Sequence, residues 1–286
     1  MPAQVVDGRA IAAAIRREVQ EEVGALTAKL GRPPGLAVIL VGEDLASATY
    51  VRNKGRACEE VGIKSVQINR PATVSREELL DILHGLNKDE TIDGILVQLP
   101  LPAHIGERSI LEAVDPAKDV DGFHPSNLGG LLTGNPLFVA STPLGIMEVL
   151  DRFRIEIEGK HAVVVGWSTI VGKPTAFLLL QRRATVTVCQ EWTRDLDQHT
   201  RQADILVVAA GTPGLVKGDM VKDGAVVIDV GINRVEGRLV GDVDFASVSP
   251  HASLITPVPG GVGPLTVAML VKNTLVAYRG RIGLKN

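Results

Sequence analysis

Residues 161–172 read His-Ala-Val-Val-Val-Gly-Trp-Ser-Thr-Ile-Val-Gly, a strand-sized apolar run that stops at Gly166 and leads into a helical pattern. Such a run has the length and composition of a strand buried on both faces. Glycine at its end permits a sharp turn into a helix, and Gly172 permits that helix to lie close on the strand. Backbone N–H groups at the helix start then form a receptor for a pyrophosphate. Gly166, Trp167, Ser168, Ile170, Val171 and Gly172 are therefore the candidate cofactor residues of this turn. The spacing is G-x-S-x-x-x-G rather than G-x-G-x-x-G, so taken alone it also describes an ordinary strand-to-helix turn. It is not the G-x-S-x-G elbow of serine hydrolases, because Ile170 stands where the second glycine is needed.

Around this turn, helix and strand patterns alternate. Helices are expected over 11–30, 47–61 and 75–87, and strands over 36–41, 64–68 and 95–97. Gly62 is the expected stop of the second helix, and Ser75 with Glu78 has the spacing of a capping box. The stretch 115–142, rich in Gly, Pro, Asn and Asp, reads as a long loop. Beyond it, strands are expected over 161–165, 184–188, 205–210, 225–230 and 254–255. Helices are expected over 174–180, 194–202 and 264–278. Alternation of this kind predicts an α/β fold with mostly parallel sheets. At 286 residues, the chain has room for two domains.

Composition narrows the function classes. Lys and Arg number 30 against 33 Asp and Glu, and aromatic residues are only 3%. A nucleic-acid groove of stacking rings and basic rows is not expected. No apolar run approaches the ~18 residues of a membrane span. Asp7, Arg9, Arg16, Arg17 and Glu18 argue against a signal peptide, so a cytoplasmic location is expected. Cys58 and Cys189 form neither a metal spacing nor a disulfide framework.

Several polar residues stand where chemistry can be done. Tyr50 and Lys54 are one turn apart on an expected helix. The same Y-x-x-x-K spacing serves short-chain dehydrogenases, but there it follows the nucleotide turn, whereas here it precedes Gly166 by more than a hundred residues. A lysine acts as a general base only if its pKa is lowered toward ~7–8. Gln98 follows the third strand, at the end where open α/β sheets bind ligands, and is a candidate partner for Lys54. Asp119, Asp121 and His124 crowd one loop, without a further residue at metal-ligand spacing. Glu191 lies 19 residues after Gly172, where dinucleotide folds place the carboxylate that binds a ribose 2′-hydroxyl. Against a 2′-phosphate at ~5 Å and a dielectric of ~20, that carboxylate costs roughly 3 kcal/mol before salt screening. Nearby Arg194 can offset it, and Glu191 also reads as an ordinary surface acid.

Taken with four further stretches, these residues resemble the bifunctional methylenetetrahydrofolate dehydrogenase/methenyltetrahydrofolate cyclohydrolase family. The stretches are 47–54 (SATYVRNK), 93–102 (DGILVQLPLP), 118–125 (KDVDGFHP) with Thr142-Pro143, and 256–264 (TPVPGGVGP). The resemblance covers nearly the whole chain. It implies an N-terminal α/β folate-binding catalytic domain, residues 1–139 plus 265–286, with the C-terminal helix packing back on it. A Rossmann-like dinucleotide-binding domain, residues 140–264, is implied alongside. The implied reactions are oxidation of 5,10-methylenetetrahydrofolate with NADP or NAD, then hydrolysis to 10-formyltetrahydrofolate in the same cleft. By the same resemblance, Lys54 assists water attack and proton transfer, Gln98 is its partner, Tyr50 packs on the folate, and Asp121 holds the pterin. Val97, Leu99, Pro259, Gly260 and Gly261 are implied substrate neighbours, and Gly211, Thr212 and Ile232 are implied cofactor neighbours. A homodimer through the cofactor domain is implied as well, with no nucleic-acid or membrane partner.

The chain departs from the family pattern at the cofactor. The family commonly has Arg after the first glycine of the turn and a His-Ser pair after the second strand. Here Trp167 and Gln190-Glu191 stand there. The usual Pro-Cys-Thr-Pro is Ala140-Ser141-Thr142-Pro143. Three readings stay open: a bifunctional enzyme using NAD, one using NADP through other contacts such as Arg194, and a cyclohydrolase whose Rossmann domain is a dimerisation scaffold.

Overall fold

The structure, a computed structural model, describes residues 3–284. The chain begins with β1 (Gln4–Val5), α1 (Gly8–Leu30), β2 (Gly35–Val41), α2 (Leu45–Val61), β3 (Lys64–Arg70), α3 (Arg76–Lys88) and β4 (Gly94–Val97). Three helices follow, α4 (Glu107–Leu111), α5 (Pro125–Thr133) and α6 (Ser141–Arg152). Next come β5 (His161–Val165), α7 (Gly172–Gln181), β6 (Thr185–Cys189), α8 (Leu196–Thr200), β7 (Ile205–Val208) and β8 (Val226–Asp229). The chain closes with β9 (Asn233–Val235), β10 (Arg238–Val240), α9 (Phe245–Val248), β11 (Leu254–Ile255) and α10 (Val262–Arg281). It divides into two compact units, Ala13–Ser141 with Val267–Asn286, and Met1–Ala12 with Thr142–Thr266.

The first of these units is built on a three-stranded parallel sheet in the order β3-β2-β4. All seven residues of the central strand β2 are buried, as a parallel strand covered on both faces requires. Asp44 caps α2 by accepting from Ser47 N at 2.7 Å, and Gly62, at φ 80°, ends it. Ser75 Oγ accepts from Glu78 N at 3.1 Å, but the capping box is only half made. The Glu78 carboxylate pairs instead with Arg70 at 3.1 Å. The C-terminal helix packs onto this unit, with Arg279 3.0 Å from Glu22 on α1. Tyr278 Oη donates to Arg32 O at 2.9 Å. Arg32 in turn holds the buried Asp93 carboxylate through two bonds, at 2.7 and 2.8 Å.

The long loop expected over 115–142 is partly helical. His124 Nδ1 accepts from Ser126 N, Pro125 opens α5, and Gly134, at φ 85°, closes it. Pro143 likewise sits in the first turn of α6, where a missing N–H costs nothing. Proline and glycine marked helix ends in this stretch, not a structureless segment.

The other unit holds a six-stranded sheet in the order β1-β11-β8-β7-β5-β6, parallel throughout. Without the edge strand β1 this is the doubly wound order 2-1-3-4-5, which reverses between β5 and β7. Such a reversal opens a crevice at the carboxyl ends of the two strands. Val163, Val165, Leu206, Val208 and Val227 lie in the core of this unit. The hairpin of β9 and β10 was not expected from the sequence; its turn residues, Glu236 and Gly237, have φ 50° and 79°. Both positive values are those of a type I′ turn, here without the usual Asn or Asp signal.

Candidate active site

Lys54 lies on the third turn of α2 and is only 8% exposed. Its Nζ donates to Gln98 Oε1 at 3.0 Å. Gln98 follows β4 directly, and its backbone N–H still pairs with Ile39 O on β2 at 2.9 Å. Its Nε2 donates to Leu99 O at 2.8 Å. The amide is thus held at both ends, with its oxygen turned to the lysine. Burial lowers the Lys54 pKa, and the Asp121 carboxylate and Cys58 partly oppose that shift. Tyr50, one turn earlier on α2, is half-buried, and burial pushes its hydroxyl pKa up.

Asp121 comes from a loop tied to the same sheet. Ile95 N donates to Lys118 O at 2.7 Å, and Asp119 bridges Ile95 in parallel, so 118–120 extend the sheet beside β4. Asp119 Oδ2 then accepts from His124 N and from Asn127 Nδ2, both at 2.8 Å, which closes the loop. Asn273 on α10 donates to Val120 O at 2.8 Å and to Val139 O at 3.0 Å. Burial pushes the Asp121 carboxyl up to about 6, with Lys54 lowering it and Asp119 raising it further. Asp119 and His124 therefore serve to shape the loop. Among the described residues, no group of three or more His, Cys, Asp or Glu is placed to hold a metal ion.

Lys54, Gln98 and Asp121 are thus brought to one place by α2, the end of β4 and the loop after it. Val97 is buried at the end of β4, and Leu99 is half-buried beside Gln98, ahead of a cis peptide bond to Pro100. Pro259, Gly260 and Gly261 lie in the other unit. There Gly260 O accepts from Gly8 N at 3.0 Å and Gly261 N donates to Pro257 O at 2.9 Å. Cys58 and Cys189 are buried free thiols.

In that other unit the glycine turn has the geometry its sequence requires. Gly166 has φ 123°, and a Cβ there would overlap Ala209 O at the end of β7. A Cβ on Gly172 would overlap Gly166 O. Ser168 Oγ accepts from Val171 N at 3.1 Å and Gly172 N at 3.4 Å, closing the first turn of α7. Trp167 and Ile170 are exposed, and Val171 is half-buried. The Lys173 ammonium lies 5.0 Å from the Trp167 ring centroid. Glu191 and Arg194 are both exposed just past β6. Gly211, Thr212 and Ile232 follow β7 and β8 and are exposed. A close glycine cradle at the sheet's reversal point fits a dinucleotide.

Two residues of this region were missed from sequence. Asp229 ends the apolar run of β8, and Asp242 follows β10. Both are buried. A carboxylate closing a fully buried strand must find donors nearby, and that was the available signal.

Comparison with known proteins agrees with this geometry. Residues 6–121 match the family description "Tetrahydrofolate dehydrogenase/cyclohydrolase, catalytic domain". Residues 140–282 match "Tetrahydrofolate dehydrogenase/cyclohydrolase, NAD(P)-binding domain". The chain is 61% identical to the bifunctional protein FolD of Halothermothrix orenii over 278 residues, 96% of this chain and 98% of that one. It is similar to the crystal structure of the bifunctional FolD enzyme from Campylobacter jejuni, with TM-score 0.96 and 51% identity over 98% of this chain and 99% of that chain. The FolD of Trypanosoma brucei, solved with NADP and an inhibitor, has TM-score 0.95 and 44% identity over 99% of each chain.

Proposed function

This chain belongs to the bifunctional FolD methylenetetrahydrofolate dehydrogenase/cyclohydrolase family, and from that premise we propose how its residues divide the work. The enzyme acts in one-carbon folate metabolism, as methylenetetrahydrofolate dehydrogenase and methenyltetrahydrofolate cyclohydrolase. Residues 1–139 with 265–286 form the folate-binding part in this reading, and residues 140–264 the nicotinamide-binding part.

Lys54 is the general base of the hydrolytic step. Burial lowers its pKa, and Gln98 Oε1 orients the amine by accepting one N–H. A water attacks the methenyl carbon as Lys54 takes its proton. The C–N5 bond then breaks as N5 takes a proton from Lys54 and the new hydroxyl gives its own to solvent, leaving 10-formyltetrahydrofolate and one released proton. A positively charged methenyl substrate further disfavours a protonated lysine beside it. Asp121 is the carboxylate that accepts from the pterin N–H groups, and at pH 7 a carboxyl with a pKa of about 6 is roughly nine-tenths ionised. Tyr50 packs on the folate, with Val97 and Leu99 as neighbours. In the oxidative step a bound nicotinamide supplies the hydride acceptor.

The cofactor is held by Gly166, Trp167, Ser168, Ile170, Val171, Gly172, Gly211, Thr212 and Ile232, with Glu191 reading the ribose. NAD is preferred over NADP, because Glu191 and Trp167 stand where the family has a hydroxyl and a cation. The enzyme is a homodimer through the cofactor part, where Val235, Leu239 and Phe245 are exposed at 41%, 40% and 38%. The same reading places it in the cytoplasm.

The observation that carries the mechanism is a buried lysine with its ammonium nitrogen 3.0 Å from a clamped amide oxygen. Lys54→Met tests it. Hydrolysis of methenyltetrahydrofolate, followed by absorbance, is expected to fall about a thousandfold, as for loss of a positioned base. The circular dichroism and melting temperature should hold. Retained hydrolysis in a folded variant would remove Lys54 from the mechanism.

A further inference from the structure

At the carboxyl end of the six-stranded sheet, two buried carboxylates accept from five backbone N–H groups of the loops above it. Asp242 Oδ2 accepts from Ala210 N at 2.6 Å and Gly211 N at 2.8 Å. Its Oδ1 accepts from Asn233 Nδ2 at 2.8 Å. Asp229 Oδ1 accepts from Gly231 N at 2.9 Å and from Asp242 N at 3.0 Å, while its Oδ2 accepts from Val243 N at 3.0 Å. The Asp229 backbone N–H donates to Thr256 Oγ1 at 2.7 Å, where the chain leaves β11. Two glycines make room for this. A Cβ on Gly231 would overlap the Asp242 carboxylate, and one on Gly241 would overlap that of Asp229. Each carboxylate thus sits where only glycine can face it.

We propose that Asp242, backed by Asp229, is the positioning residue for nicotinamide binding, fixing the Gly211 loop and the Gly231–Asn233 loop as one unit. Gly211 N–H is spent on Asp242 and is not offered to a ligand. What the loops present is therefore their shape, including Thr212 and Ile232. The Ala209 carbonyl that packs against Gly166 is held by its neighbour's bond to Asp242, so the clamp also sets the spacing across the reversal point between β5 and β7. Two carboxylates kept buried at close quarters repel one another, a cost offset here by the backbone donors and the Asn233 amide. The inference rests on reading Gly211 and Ile232 as cofactor neighbours.

The bifunctional enzyme carries its own control, because hydrolysis of methenyltetrahydrofolate consumes no nicotinamide. Asp242→Asn should raise the nicotinamide KM about tenfold with a smaller change in kcat, while hydrolysis stays within about twofold of wild type. In that variant the new amide keeps its oxygen on the Ala210 and Gly211 N–H groups, so its NH2 meets the Asn233 amide, which has to turn over to accept it. Asn233→Asp added to Asp242→Asn restores a complementary pair and should return KM to within about threefold of wild type. Direct binding is read by quenching of the two tryptophans, Trp167 and Trp192, on addition of NADH or NADPH. An unchanged KM in Asp242→Asn, or no rescue by the exchange, overturns the proposal while leaving the cofactor reading intact. Parallel loss of both activities also overturns it, since the pair would then merely hold the fold. If Asp242→Asn does not fold, Asn233→Ala, which removes one bond, should raise KM about threefold, and no rise counts against the clamp. Wild-type enzyme that binds neither nucleotide would sink this proposal together with the reading beneath it.

Discussion

Lys54 Nζ and Gln98 Oε1 are 3.0 Å apart, and the far end of the same amide is tied to Leu99 O. The amide cannot turn over without losing that second bond, so it presents an acceptor to the lysine. A neutral acceptor orients the amine without holding a proton on it, as a carboxylate would.

Gln98→Glu tests that distinction. A carboxylate at this position favours the charged lysine and raises its pKa. The acid limb of the hydrolysis profile should move to higher pH, with activity at pH 7 down about tenfold or more. A pH–rate profile of kcat decides, and an unmoved limb would mean that Lys54 is not the titrating base.

Asp121 gives a second pH dependence, in binding rather than turnover. Its carboxyl is pushed up to about 6 by burial, so it gains a proton as pH falls through that value and loses its acceptor role. The folate KM should therefore rise below pH 6 and level above it. In Asp121→Asn the KM should be high and flat between pH 5 and 7. A wild-type KM that ignores pH in this range would take Asp121 out of substrate binding.

Cofactor choice is the third test. Trp167→Arg with Glu191→Ser restores a cation and removes a charge from the proposed 2′-phosphate position. The kcat/KM ratio of NADP to NAD should rise by about ten- to a hundredfold, the range expected when a screened repulsion of roughly 3 kcal/mol is relieved. No change in the ratio would move 2′-phosphate recognition elsewhere, with the exposed Arg194 and the Lys173 held over Trp167 as the cations to examine next.

Stability has its own focus at Asp93. This carboxylate is fully buried, accepts two bonds from Arg32 and one from Gly35 N, and lies 3.3 Å from Arg281 on α10. Arg32 also stacks on Tyr278, 4.7 Å from the ring centroid. Removing one partner of a buried pair costs about 3–5 kcal/mol, and the partial exposure of Arg32 favours the lower end. Asp93→Ala should lower the melting temperature by roughly 6–12 °C. A shift within about 2 °C would show that the Asp93 pairing does not hold the C-terminal helix.

Much of the fold was legible because apolar periodicity and glycine chemistry are local. The buried runs at 36–41 and 161–165 became strands, and Gly62 and Gly166 adopted the positive φ values their positions demanded. Where local signals misled, the reason was also local. The stretch 115–142 was read as a loop for its Gly, Pro, Asn and Asp, yet Pro125 opens α5, since proline is tolerated in a first helical turn. Helix α8 is only five residues, well short of the 194–202 expected, because Asp195, at φ 50°, delays its start.

The sequence by itself determined the family, the two parallel-sheet units and the identities of Lys54, Gln98 and Asp121, since these lie in long motifs whose order is read directly. Only the tertiary structure decided what surrounds them. Burial of Lys54, the direction of the Gln98 amide and the raised Asp121 carboxyl all depend on segments far apart in the chain meeting around one polar group. The Asp229–Asp242 pair shows the same limit, for its donors come from three separate segments, 210–211, 231–233 and 242–243, that only the folded sheet brings within hydrogen-bonding distance.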